Sequence, residues 1–212
     1  MINPELQAYV EREILPRYDH HDAAHRRDHV LIVIEQSLAI ARQLMLQQQE
    51  INEDMVYAIA AYHDTGLCEG REHHNEVSAR IIRQDMELRR WFTDTEIEVM
   101  ADAAEDHRAS TRHAPRSIYG RIVAEADRVI VPETVVRRTI QFGLDHYPTL
   151  DREAHYERTC AHLREKYGDG GYLQLWFAHS PNAARLEELR RIIRDPSLLR
   201  PLFDRLFAEL SQ

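Results

Sequence analysis

His63 and Asp64 are neighbours at the end of the apolar run AAYHDTGL, which occupies residues 60–67. Burial would remove water from both side chains, and an ionised carboxylate inside a protein is costly unless it is paired or bound to a cation. Imidazole nitrogen and carboxylate oxygen together suit first-row divalent metals such as manganese, iron, nickel or zinc. The pair therefore indicates a metal site, in which Asp64 has a second oxygen left to bridge another ion.

Two further residues lie where such a site needs them. His29 is one helical turn before Val33, on the apolar stripe expected to face the core. Asp127, in the segment EADRVI, is a carboxylate embedded in an apolar helical face. A single core histidine or aspartate is more often hydrogen-bonded or ion-paired, but four core-facing residues together favour a metal centre. His25 competes with His29, and we prefer His29 because His25 lies outside the periodic helix.

Helical periodicity and capping residues predict the elements that carry these side chains. Helices are expected over residues 4–15, 28–48, 53–65, 74–86, 93–107, 117–131, 133–144, 151–167, 180–194 and from 196 onwards. The chain has only seven glycines and no convincing alternation of apolar and polar residues bounded by turns. The predicted fold class is all-α, with roughly ten helices in a single compact domain over residues 1–212.

Composition limits the function classes. With 212 residues, 43% of them hydrophobic and 30% charged, the chain is expected to be globular. Its net charge of −9 argues against a nucleic-acid polymer as partner. Cys68 and Cys160 cannot build a disulfide framework, no secretory signal is visible, and the strongest apolar run, Val30–Ile34, is too short to span a bilayer. We expect a cytoplasmic protein with no membrane partner.

His29, then His63 and Asp64, then Asp127 resemble the H…HD…D signature of the HD superfamily of metal-dependent phosphohydrolases. The resemblance extends to the segments AHRRDHVLIVIEQSLAIA, AAYHDTGL, AAEDHRAS and RIVAEADRV, within residues 20–131. It implies an HD-type helical domain with a motif core at 20–131 and a helical extension at 132–212. It also implies that these four residues bind the metal and that Asp64 is catalytic.

Some HD proteins hold a second metal through additional histidines between the HD pair and the last aspartate. His74 and His107 fit those positions here. His73 is an alternative to His74, which we prefer because it lies four residues before a small residue, Ser78. The implied cofactor is one or two divalent ions, chosen among manganese, iron, nickel, cobalt, zinc and magnesium. One or two arginines are expected to meet a substrate phosphate, and the candidates are Arg71, Arg108, Arg112, Arg116 and Arg121.

The resemblance implies hydrolysis of a small phosphorylated metabolite, with a nucleotide as the preferred substrate. No glycine-rich phosphate loop, GxSxG turn or CxxC pair occurs in the sequence, which removes P-loop, serine-hydrolase and zinc-ribbon functions. The alternatives are a guanosine tetraphosphate hydrolase, a di-iron HD oxygenase and a non-catalytic nucleotide or metal sensor. The sequence is compatible with a homodimer and does not decide the oligomeric state.

Overall fold

The computed structural model describes residues 1–20, 27–110, 113–178 and 180–211. Over these residues it has ten α-helices and no strand, which confirms the all-α prediction. The helices are α1 (Pro4–Tyr9), α2 (Arg27–Leu46), α3 (Glu53–Tyr62), α4 (His74–Gln84), α5 (Asp94–Asp106), α6 (Ile118–Asp127), α7 (Pro132–His146), α8 (Arg152–Tyr167), α9 (Pro181–Arg194) and α10 (Pro196–Leu210). A π-helical turn (Val10–Ile14) and 3-10 turns (Leu15–His20, Thr65–Glu69 and Met86–Arg90) extend or connect them.

Side-chain caps set several of the predicted helix starts. The side chain of Asn3 accepts hydrogen bonds from backbone N–H groups in the first turn of α1. Thr93 and Glu96 form the predicted capping box of α5. The side chains of Asp151 and Ser180 likewise accept from the first turns of α8 and α9. Such caps satisfy N–H groups that have no partner inside the helix, so the short polar residues mark these boundaries in the sequence.

The first predicted helix is α-helical only to Tyr9 and continues as a π-helical turn, and two predicted helix ends beside the candidate site residues were wrong. Helix α3 ends at Tyr62 rather than at residue 65, and Asp64 already has φ −110° and ψ 8°. Helix α6 ends at Asp127 rather than at Val131, which has extended backbone because it precedes a proline. As a result His63, Asp64 and Asp127 all lie at helix ends.

The chain forms two compact units, Met1–Arg128 and Val129–Gln212. In the first unit α3 is central: all residues of its segment Met55–Tyr62 are buried, and α2, α5 and α6 pack against it. In the second unit α7, α8, α9 and α10 share an apolar core that includes Phe203. The boundary between the units lies close to the predicted end of the motif core. That residues 1–212 form one domain stays a prediction.

Helix α2 is long and apolar enough, by length and composition alone, to cross a membrane. It contains the apolar run Val30–Ile34 and buries Val30, Val33 and Ile34 in the first unit. It also carries His29. Because the core helix of a globular domain has the same features, this composition is weak support for a membrane span.

Gly66 allows α4 to approach the end of α3. A Cβ atom on Gly66 would lie 2.0 Å from the backbone oxygen of His74 and 2.6 Å from the backbone nitrogen of Ser78. The N–H of Gly66 donates a hydrogen bond to Ser78 Oγ at 2.9 Å. The first turn of α4, which carries His74, is therefore set directly against the turn that follows Asp64.

Replacing Gly66 by alanine is expected to lower the free energy of unfolding by about 3 kcal/mol, because backbone atoms of α4 must move. Gln84→Ala, at an exposed position of the same helix, is the control and should change the free energy of unfolding by no more than about 0.5 kcal/mol. Urea unfolding of both variants measures the difference, and a loss in Gly66→Ala no larger than that of the control would contradict the close approach at Gly66.

Candidate metal centre

Helices α2, α3 and α6 bring four predicted residues to one place. His29 Nε2 lies 3.1 Å from Asp127 Oδ1 and 3.9 Å from Asp64 Oδ2. His63 Nε2 lies 3.4 Å from Asp64 Oδ2 and 3.6 Å from Asp127 Oδ1. The side chains of His63 and Asp64 are 0% and 4% exposed, while that of Asp127 is 25% exposed. Each of the two carboxylates thus places one oxygen within 3.9 Å of both imidazole nitrogens.

Asp64 directs its other oxygen to a second pair of histidines. Asp64 Oδ1 lies 3.3 Å from His74 Nε2 and 3.4 Å from His107 Nε2. These two nitrogens are 3.2 Å apart. His74 begins α4 and His107 follows α5, whereas the neighbouring His73 has a side chain that is 65% exposed. Of the two neighbouring histidines, it is His74 that lies beside Asp64.

Three of the histidines are oriented in the same way by the backbone. In each, Nδ1 lies within hydrogen-bond distance of the carbonyl oxygen three residues earlier. The bonds run from His63 to Ala60 at 2.8 Å, from His74 to Arg71 at 2.9 Å and from His107 to Ala104 at 2.5 Å. An Nδ1–H that donates to a carbonyl leaves Nε2 towards the cluster, and such bonds commonly fix the ring of a metal-binding histidine.

Tyr18 fixes the backbone at Asp64, and nothing in the sequence marked it. Its buried hydroxyl donates to the carbonyl of Ala61 at 2.8 Å and accepts from the N–H of Asp64 at 3.3 Å. Burial, together with the charge of Asp64, raises the pKa of the Tyr18 hydroxyl well above its ordinary value. The phenol therefore stays protonated and can continue to donate to Ala61.

The buried carboxylates need positive charge beside them. Burial opposes protonation of His63, but the carboxylates of Asp64 and Asp127 outweigh it and raise the pKa of His63 well above its ordinary value. Burial also opposes ionisation of Asp64, but His63 and His107 hold its pKa well below the usual range. His63 Nε2 is buried and makes no hydrogen bond within the described ranges. Either a proton or a metal ion at this nitrogen would balance the carboxylates.

These residues fit a divalent cation. The sets that could each hold one ion are His29 with His63 and Asp64, and His74 with His107 and Asp64. Burial, and then the nearby His107, lower the pKa of His74, which keeps its imidazole in the neutral form that binds metals. Mixed nitrogen and oxygen donors of this kind suit first-row metals.

Two of the arginines predicted to bind phosphate have backbone or acidic partners. Half-buried Arg108 donates to the backbone oxygen of Glu72 at 2.5 Å and lines a cleft of about 610 Å³. Arg116 binds Asp106 through two nitrogens at 3.1 and 2.8 Å and also pairs with Asp102 at 3.1 Å. The guanidinium of Arg116 therefore has a structural role, which makes Arg108 the better placed of the two.

The remaining sequence candidates are exposed or lie outside the described residues. Arg71 is exposed, and its carbonyl is the acceptor for His74. Arg121 is exposed on α6. Arg112 and His25 lie outside the described residues. Phosphate binding by any of these arginines stays a prediction.

Comparison with known families bears directly on this cluster. The family defined as the HD domain matches residues 26–131, which is half of the chain and includes every residue from His29 to Asp127. The chain belongs to the HD-domain family. Searches among curated proteins and among solved structures gave no match. Family membership confirms the resemblance derived from the H…HD…D pattern, and it indicates a metal-dependent phosphohydrolase as the general class.

If Asp64 binds two ions, His74→Ala should lower the metal content from about two ions per chain to about one. The reason is that the set of His74, His107 and Asp64 loses one of its three ligands. His73→Ala is the matched control, since that side chain is largely in solvent. Elemental analysis of the purified proteins after equilibration with manganese gives the ratio. An unchanged metal content in His74→Ala would show that this histidine holds no ion.

Metal affinity is expected to increase with pH. The raised pKa of His63 means that its imidazole holds a proton in the metal-free chain at neutral pH, and a metal must displace that proton. Below this pKa, affinity should therefore rise by about tenfold per pH unit. Calorimetry in two buffers of different ionisation enthalpy measures the released proton. Binding that is independent of pH and releases no proton would refute the coupling.

Proposed function

We propose that this protein is a metal-dependent phosphohydrolase that acts on a small phosphorylated metabolite, preferably a nucleotide. The observation that supports the proposal is the position of Asp64. Its Oδ2 faces His29 and His63, and its Oδ1 faces His74 and His107. A carboxylate shared in this way can hold two cations close together, as in phosphatases whose ions are about 3.5–4 Å apart.

Each residue has a defined part in the proposed reaction. His29, His63 and Asp127 would hold one cation with Asp64, and His74 and His107 would hold the other. When bound, divalent cations lower the pKa of a coordinated water and polarise a phosphoryl oxygen. Asp64, placed between the two sets, would fix the spacing of the two cations and thereby the position from which a coordinated water could attack phosphorus.

The body of the substrate is expected to occupy the cleft beside the second set. This cleft of about 610 Å³ has the size of a small-molecule site. Its lining residues are Glu72, His73, Asn75, Glu76, Glu105, Arg108, Ser110 and His113. Three glutamates and a single arginine among these residues give the cleft little positive charge, so the cations must carry most of the phosphate's charge. Exposed His73 and His113 are candidates to protonate the leaving group.

The test is hydrolysis of nucleotides, guanosine tetraphosphate and a generic phosphate ester with manganese, nickel, cobalt, iron and magnesium in turn. Asp64→Ala should reduce kcat/KM by at least about a thousandfold, equivalent to about 4 kcal/mol of barrier, because both sets lose their shared ligand. Asp145→Ala, at an exposed position of α7, is the matched control. Undiminished hydrolysis in Asp64→Ala would reject the proposed centre.

Two other outcomes would replace this proposal with one of its alternatives. Bound iron with a visible absorption band and consumption of oxygen would indicate the di-iron oxygenase. Tight nucleotide binding without product over hours, at full metal occupancy, would indicate a sensor. The proposal also places the protein in the cytoplasm, where free thiols such as Cys68 and Cys160 stay reduced.

A further inference from the structure

Helix α2 presents an apolar stripe to solvent on the side away from the core. Leu31, Ile32, Met45 and Leu46 are 44%, 42%, 42% and 87% exposed. Only 33% of the most apolar window of this helix is buried. Large apolar side chains grouped along one helix at this exposure indicate a surface that contacts something else.

The stripe has a seven-residue period. Leu31, Leu38 and Met45 are spaced by seven, and Ile32 is followed at the same spacing by Ala39 and Leu46. Seven residues make two helical turns, so each series lies along one face. The stripe is therefore a continuous seam about 24 Å long at 1.5 Å per residue.

Glu35 and Arg42 interrupt the seam with opposite charges. They too are spaced by seven, and both are exposed. In the part of the chain that the structure describes, Glu35 makes no ion pair. Arg42 contacts Glu53 through Nε at 2.5 Å, while its side chain remains 59% exposed. Glu35 is thus available at the surface of the seam, whereas Arg42 keeps Glu53 through Nε and would bind a partner carboxylate through its other guanidinium nitrogens.

The seam is complementary to itself in one arrangement. An antiparallel two-fold axis between Leu38 and Ala39 sets Glu35 of one protomer beside Arg42 of its partner, and repeats that pair on the other side of the axis. Leu31 and Leu46 are equidistant from the same point. A parallel pairing would instead set like charges together, which is unfavourable. A self-complementary patch of this kind is what a two-fold dimer requires.

We propose that α2 is the seam of an antiparallel homodimer of this chain. The Glu35 and Arg42 pairs fix its direction and register, and the apolar residues provide the buried contact. A lipid bilayer is a poorer occupant because it would have to accept both charges in the middle of the apolar stripe.

Sedimentation velocity of the full-length protein over about a hundredfold range of concentration, which spans a weak equilibrium, tests the proposal. The wild-type protein should shift from monomer to dimer. Glu35→Arg and Arg42→Glu should each weaken self-association by at least about tenfold, because each sets like charges together. An equimolar mixture of the two variants should associate again, since one variant then carries only positive charges at these two positions and the other only negative charges.

Glu188→Arg makes the same charge change at an exposed position of α9 and should leave association unchanged. Circular dichroism of each variant checks that it is folded, and the mixing experiment separates loss of fold from loss of pairing. A wild-type protein that is monomeric throughout would overturn the proposal. So would single variants that associate as wild type, or a monomer that binds vesicles of phosphatidylcholine and phosphatidylglycerol through the stripe.

Discussion

The first unit is organised around one buried carboxylate that faces two pairs of imidazoles. Asp64 occupies that position just after α3 stops at Tyr62, where its backbone N–H donates a hydrogen bond to the hydroxyl of Tyr18. The same turn needs Gly66, whose missing side chain lets α4 bring His74 to the other side of the carboxylate. A buried negative charge is unfavourable unless a positive charge or a metal ion lies beside it. The surrounding histidines can supply or bind that positive charge, and their backbone hydrogen bonds orient the rings towards Asp64.

Much of this could be predicted from the sequence because the information is local. Helix caps such as Asn3 and Thr93 depend only on residues a few positions away. The order of His29, His63 and Asp127 along the chain can likewise be recognised without knowing the fold. Helix ends were less accurate: α6 stops at Asp127, four residues before its predicted end at Val131. The bond from His63 to the carbonyl of Ala60 lies at another mispredicted end, that of α3.

What could not be predicted depends on contacts between distant segments. Tyr18 belongs to a short 3-10 turn, and only the folded chain brings its hydroxyl to the end of α3. The contacts of the arginines could not be predicted either. Arg116 binds Asp106, whereas Arg108 lines the cleft. The sequence shows which arginines are present, but which acidic side chain pairs with each of them depends on the tertiary structure.

The position of the unit boundary has a consequence for biosynthesis. Asp127 is the last residue of α6, and the first compact unit ends one residue later, at Arg128. During translation, every residue of the cluster is therefore synthesised before residues 129–212. If this cluster holds a metal, the nascent polypeptide could begin to capture it while the second unit is still being made, once α6 has left the exit tunnel.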